Sequence, residues 1–420
     1  MSGTGPVRAL LLGEGVGLLA SAAAQTTVAW WLAARGGGAD LARYGAAMAA
    51  ISLLALPLLS PLGDRWSRRR LIRLAQAGLL LDAVLLALLA WQDLYRLPLL
   101  CACGALSVLA QAVLLPAQAS LLPDLVPADR LPEAIRWRRG AQAIGGLLGP
   151  ALGGAALAAG GVPLAALLNV ALFVLCACAA WQLGASTAPA SHAAATGWFD
   201  DLAAGLRAKW RVRLDRWWTL AGALMMVFLL PCTGLLLPLR LQSLQLSASW
   251  FGACGAALSL GVLAGVAGGA DALIRRVGRL RAIGIAVVAC GLSIGAVGLC
   301  DHAMALVLLF GIVGLCLSVT QLVGQTHRAL AVPHAFRARM AAGHLTIAQL
   351  AAMLAPALAG ALLLRWPVSV VYLSLAAAFL GSGLLLLAVP DLGRFLRLGP
   401  EDVKDWYGRT YPEAFTGTQR

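Results

Sequence analysis

Apolar runs of membrane-crossing length recur along the whole chain, separated by short polar connections. A bilayer core about 30 Å thick needs roughly 20 apolar residues for each helical crossing. The pattern predicts crossings near residues 8–33, 41–62, 71–91, 98–121, 140–160 and 163–183, then a second set near 218–238, 249–269, 282–300, 303–325, 340–364 and 368–389. The expected fold is therefore all-α and membrane-embedded, with twelve transmembrane helices in two pseudo-symmetric six-helix bundles. Between the sets, residues 185–197 are rich in Ala, Ser and Thr and read as a flexible linker. Beyond it Trp198, Phe199, Leu202, Leu206, Trp210, Leu214 and Trp217 recur near helical spacing, with Asp200, Asp201, Arg207, Lys209, Arg211 and Arg213 between them. That alternation predicts an amphipathic helix on the inner leaflet, basic face toward the lipid headgroups and indoles at the interface. The expected organisation is a first bundle over 1–184, a linker with the interfacial helix over 185–217, a second bundle over 218–390 and a cytoplasmic tail over 391–420.

Composition makes lipid the main solvent. Of 420 residues 60% are apolar and 12% charged, with a mean hydropathy of +0.84, and so few charges cannot cover a water-soluble globule of this size. The first apolar run has no small-residue cleavage site at its end, so it is expected to stay as an anchor. The formal charge of +14 raises the question of nucleic acid, but its distribution answers otherwise. Placing the N-terminus in the cytoplasm puts all the basic residues inside except Arg35, Arg43, Arg96, Arg240 and Arg365. Retention of positive charge on the cytoplasmic side then implies both termini inside and an even number of crossings. The nine cysteines sit mostly within apolar runs with no CxxC or zinc spacing, which reads as packing rather than metal or redox chemistry.

The connection after the second run reads Ser60-Pro61-Leu62-Gly63-Asp64-Arg65-Trp66-Ser67-Arg68-Arg69-Arg70. A carboxylate there can accept hydrogen bonds from a helix N-terminus and pair with guanidinium groups, latching the cytoplasmic face. This stretch resembles the signature loop of the major facilitator superfamily: Asp64, Arg65, Arg68 and Arg69 match the family's pattern, while Ser60 and Ser67 replace its two glycines. The resemblance implies a latch partner at the start of the eleventh helix, close to Arg339. A degenerate second copy, Arg275-Arg276-Val277-Gly278-Arg279, carries Arg275 at the acidic position and supports duplication of the halves. Duplicated halves imply a substrate site near mid-bilayer and alternating access.

In the fifth run Gly145, Gly149, Pro150, Gly153 and Gly154 make a stripe without side chains, which permits close helix packing, and Pro150 removes a backbone donor. The stripe resembles the core of the antiporter motif of exporters in the same superfamily, with Arg136 at the position of that motif's leading glycine. Further phrases, Leu121 to Pro127, Asp201 to Arg207, and Val332-Pro333 with Arg337 to Arg339, resemble the subgroup holding the enterobactin exporter and macrolide efflux proteins. The tail's Trp406-Tyr407 and Tyr411 to Phe415 resemble siderophore exporters.

Ionisable groups inside a membrane are costly and point to function. Glu14 in the first run, Asp82 in the third and His344 in the eleventh are the candidates for proton coupling. An acid buried in low dielectric can carry a proton and release it when the surroundings become wet. Gln25, Gln111, Gln118, Gln321 and Gln325 fall on the first, fourth and tenth helices, which line the cavity in the resembled fold. Amides there can bind oxygen-rich ligands or hydrogen-bond neighbouring helices.

No phosphate loop is present, since the only lysines, Lys209 and Lys404, are not followed by Ser or Thr. His192, His302, His327, His334 and His344 form no HExxH motif, and no nucleophile elbow occurs. The expectation is a non-enzymatic secondary transporter without cofactor or metal, driven by the proton gradient in a bacterial inner membrane. It acts as a monomer in lipid and exports a small amphipathic molecule, a siderophore first and a drug or macrolide second, with Glu14 as proton carrier and Asp64 with Arg68 as gate. An importer of the same fold is the alternative.

Overall fold

The computed structural model describes residues 4–59, 67–126, 131–183, 198–333 and 336–415. Its regular elements are helical. Among the described residues ten helices are long and apolar enough to cross a membrane. Two of them carry apolar stretches of 49 and 42 residues, about 74 and 63 Å at 1.5 Å per residue, each twice what one crossing needs. Both break where the sequence pattern has a gap. Helix α1, Thr4–Leu59, is interrupted at Gly37 with φ 63° and ψ −160°. The second, which becomes α4 below, is interrupted at Gly160 and at Gly161, where φ is 66°. Only glycine enters that backbone region without strain. Each long helix is thus two crossings joined at a glycine, which makes twelve.

The chain divides into two compact units, 1–194 with 237–259, and 195–236 with 260–420. In the first, α1 packs with α2 (Arg68–Trp91), α3 (Leu97–Leu125) and α4 (Leu131–Trp181). Leu10, Ile72, Leu79, Leu114, Leu122, Phe173 and Cys176 meet in its core. The short α7 (Leu236–Ser243) and the first part of α8 (Ala248–Ala264) cluster with this unit. At its loop end Arg35 pairs with Asp93, and the Tyr95 hydroxyl donates to Asp40 at 2.8 Å.

The second unit holds α5 (Trp198–Arg211) and α6 (Arg213–Thr233). After a π-helical stretch, Gly265–Gly269, come α9 (Ala270–Val277), α10 (Arg279–Leu299), α11 (Ala303–Ala331), α12 (Arg337–Leu363) and α13 (Val368–Leu387). Three short helices, α14 (Leu392–Arg397), α15 (Pro400–Val403) and α16 (Trp406–Thr410), form the tail. Gly298 lets α10 approach α13, where a Cβ would lie 2.8 Å from both the Ser369 carbonyl oxygen and the Tyr372 Cβ. The buried Tyr372 hydroxyl donates to the Cys232 carbonyl at 2.7 Å.

The segment expected to lie on the membrane surface differs from that expectation in two respects. It is two helices, broken at Val212, which is extended. Lys209 does not face headgroups; it is 3% exposed. Its position on the polar side of a helical wheel is what a solvated lysine would also show, and only the tertiary partner described below distinguishes the two.

Candidate functional site

The glycines of α4 act on two neighbours. Gly145, Gly149 and Gly153 lie against α1: a Cβ on Gly149 would come 2.6 Å from the Ala22 Cβ and 2.7 Å from the Leu19 carbonyl oxygen, and one on Gly153 2.9 Å from the Ala23 carbonyl oxygen. Gly154 and Pro150 face α8, where a Cβ on Gly154 would lie 2.7 Å from the Gly252 Cα. At these glycines hydrogen is the only substituent that fits, so the helices approach closely.

Along the same pair of helices a cleft of about 690 Å³ opens between α1 and α4, lined in part by Arg8, Leu12, Val16, Trp137, Ile144 and Gly145. Its walls are apolar except for the exposed guanidinium of Arg8, and Trp137 is 66% exposed. A concave, mainly apolar surface with a few polar groups is the usual form of a small-molecule site.

Glu14 precedes Gly15, another lining residue, and is 4% exposed. Its Oε2 accepts from Arg138 Nε at 2.5 Å and from Gln142 Nε2 at 3.3 Å. Arg138 reads in the sequence only as one of the cytoplasmic charges; here it is the counter-ion of Glu14.

Asp82, on α2, is equally buried and differently placed. Ser107 hydrogen-bonds to it, yet its Oδ1 has no partner. A small cavity of about 10 Å³ is lined by Asp82 together with Thr27 and Trp31 of α1 and Asn169 and Phe173 of α4.

The remaining candidates scatter. Gln118 is buried, Gln111 is half-buried, and Gln25 and Gln321 are exposed; of Gln325 only the helical backbone is described. Asp64 and Arg65 lie outside the described residues, while Arg68 and Arg69 open α2, half-buried. Arg339 places its guanidinium over the Phe336 ring at 5.5 Å. In the degenerate second copy Arg279 donates to the carbonyls of Leu396 and Leu398 at 3.3 and 3.4 Å, so this basic segment ties down the tail.

A charge cluster that the sequence does not announce sits in the second unit. Asp215 on α6 is 1% exposed and pairs with Lys209 at 2.5 Å and with Arg328 at 2.7 Å. Arg328 also donates to Thr219 at 2.5 Å and lies over the Trp218 ring at 5.2 Å. From the tail, the Tyr407 hydroxyl donates to Asp215 at 3.2 Å. Burial pulls the Lys209 ammonium down to about 8, against Asp215 and with Arg328 acting in the same direction as burial. Burial and the Asp215 carboxylate push the Tyr407 phenol well above its usual range, keeping it a donor. His344 lies within electrostatic reach of this cluster, and its Nδ1 has no hydrogen-bond partner.

Comparison with known proteins decides the family. The model of the Major Facilitator Superfamily matches residues 10–300. The chain belongs to the Major Facilitator Superfamily. It is thus a polytopic membrane transporter, a protein that moves small molecules as a single chain. A search of curated proteins by sequence finds no match. Solved structures share the superfamily fold at low identity. A point mutant of the nucleoside transporter NupG superposes with a TM-score of 0.75 at 14% identity, covering 92% of this chain and 100% of that one. The peptide transporter POT in complex with alafosfalin, also a point mutant, gives 0.70 at 16%, covering 93% and 96%. A bacterial homologue of the iron transporter ferroportin, in an inward-facing state, gives 0.70 at 16%, covering 95% and 100%.

Proposed function

We propose that this superfamily member is a proton-coupled exporter of a small amphipathic molecule from the bacterial cytoplasm, with a siderophore as the favoured cargo. The observation that carries the reading is the α1–α4 cleft. Its apolar walls and the indole of Trp137 suit the hydrocarbon or aromatic part of a cargo, and the Arg8 guanidinium suits a carboxylate or catecholate oxygen at its other end. The glycine seams beside it support export, because close backbone packing along α4 leaves no side-chain-sized path for ions while the helices tilt. The Glu14–Arg138 pair borders the cleft, where a cargo bearing its own charge can compete for either partner.

The test uses inside-out vesicles acidified within by respiration. Adding an iron-free catecholate siderophore is expected to dissipate the pH gradient and load the vesicles with cargo. Trp137→Ala should raise the half-saturating concentration about tenfold, the equivalent of the roughly 1.4 kcal/mol that one aromatic contact supplies. A response to macrolides but not to siderophores would move the cargo to the drug class. Accumulation by intact cells in proportion to expression would reverse the direction.

A further inference from the structure

Two buried acids sit in the first unit, and their surroundings give them opposite needs. Glu14 has its negative charge met by the Arg138 guanidinium, with Gln142 as a second donor, both at Oε2. Its Oε1 is unpartnered, so what sets the two acids apart is the counter-ion and not an orphaned oxygen. A proton added to Glu14 would leave Arg138 without its counter-charge, and removing one partner of a buried pair is strongly unfavourable.

Asp82 has no ion pair among the described residues, although it is 4% exposed. Bare negative charge at such a site is the costliest state a carboxyl can adopt, and the group neutralises instead. Its Oδ1 is unpartnered, and so is the Oδ1 of Asn169, itself 4% exposed. Both residues line the same cavity of about 10 Å³, room for about one water molecule. Thr27 also lines the cavity. Its hydroxyl proton is already donated to the Ala23 carbonyl at 2.9 Å, so only lone pairs remain to it. The lining also holds the Trp31 indole N–H and the Asn169 amide N–H groups, but no donor reaches either orphaned oxygen. A water there would donate to both oxygens but leave the buried charge uncompensated, whereas one proton on Asp82 Oδ1 removes that charge and also makes the oxygen a donor for the Asn169 carbonyl. Among the described residues, the titratable groups in electrostatic reach of Asp82 are Tyr44 of α1 and Cys103 of α3. Neither is a cation.

We propose that Asp82 is held as a neutral carboxylic acid donating to Asn169, directly or across one water, and that this is the proton exchanged for cargo. The inference rests on the proton-coupled reading above and changes which residue carries the proton. The first half of α1, α2 and the second half of α4 line the cavity, and α3 reaches Asp82 through Ser107, so relative movement of these crossings is what can admit water and release the proton.

The test reads the acid itself, with no cargo present. Infrared spectra of the full chain in lipid at neutral pH should contain the C=O band of a protonated carboxyl group. That band is expected to be retained in Glu14→Gln, lost in Asp82→Asn and displaced in Asn169→Ala. In a paired flux assay, Asp82→Asn should keep cargo counterflow and lose accumulation driven by the pH gradient. A band that survives Asp82→Asn, or that disappears in Glu14→Gln, overturns the assignment. Should Asp82→Asn fail to fold, an unshifted band in Asn169→Ala overturns it equally. Because the spectrum needs no cargo, a wild-type protein that shows the band but moves no cargo against protons would refute the export reading and leave the acid in place.

Discussion

At the scale of single residues, the burial of charge separates what a position can do from what its type suggests. Asp215 is held by Lys209, Arg328 and Tyr407, and it is the one group to which all three converge. Replacing Asp215 with Ala leaves two cations facing each other out of water. The expected loss is about 3–5 kcal/mol, the usual result of breaking a buried pair from one side, visible as a lowered midpoint in thermal unfolding of the detergent-solubilised chain. An unchanged midpoint would mean that water reaches the cluster. None of this was legible beforehand. Lys209 and Arg328 look like two more cytoplasmic charges, and Asp215 stands among arginines at a helix start where an acid is unremarkable. Glu14 and Asp82 were legible, because a charge within an apolar run stands out whatever the fold. Their partners were not: Arg138 lies 124 residues from Glu14 and Asn169 is an ordinary amide until a cavity joins it to Asp82.

At the scale of helices, small residues set the distances. Gly149 meets α1 through Ala22 and Leu19, and Gly154 meets α8 through Gly252. Gly149→Val inserts branched carbon where even a Cβ has no room, so α1 and α4 must separate. Overpacking of this kind costs about 1–3 kcal/mol. Gly140→Ala, with open space around its Cβ position, is the control and should unfold no earlier than the wild type, since Ala favours the helix over Gly. Equal midpoints for Gly149→Val and the control would show that the seam is loose. Here the sequence was informative in part: the i, i+4, i+8 spacing predicts a smooth stripe, but Gly153 and Gly154 are adjacent and cannot face one neighbour. The structure assigns them to two.

At the scale of the whole molecule, the number and direction of crossings follow from length and charge. Gaps in hydropathy near residues 37 and 161 were legible as turns, even though α1 and α4 each run on as one element in hydrogen-bond terms. Arginine placement then gives an orientation that topology reporters can check. Fusions at Asp93 and Asp301 are expected to report the outer side, and a fusion at Gly278 the cytoplasm. Reporters that read the same side at Asp93 and Gly278 would break the twelve-crossing scheme. Cargo was the least legible property, since the cleft draws on Arg8 at one end of α1 and Trp137 at the start of α4, and pattern along the chain says nothing of the shape that distant positions enclose.

Tyr407 reaches Asp215 from a part of the chain that is synthesised after every membrane-crossing helix. During translation, then, the hydroxyl that completes the cluster around Asp215 leaves the ribosome last. A polypeptide that ends between Leu387 and that tyrosine contains every membrane-crossing helix and still lacks a donor to an acid 192 residues upstream. Assembly of the buried pairs around Asp215 thus waits for a hydroxyl that only the tail supplies.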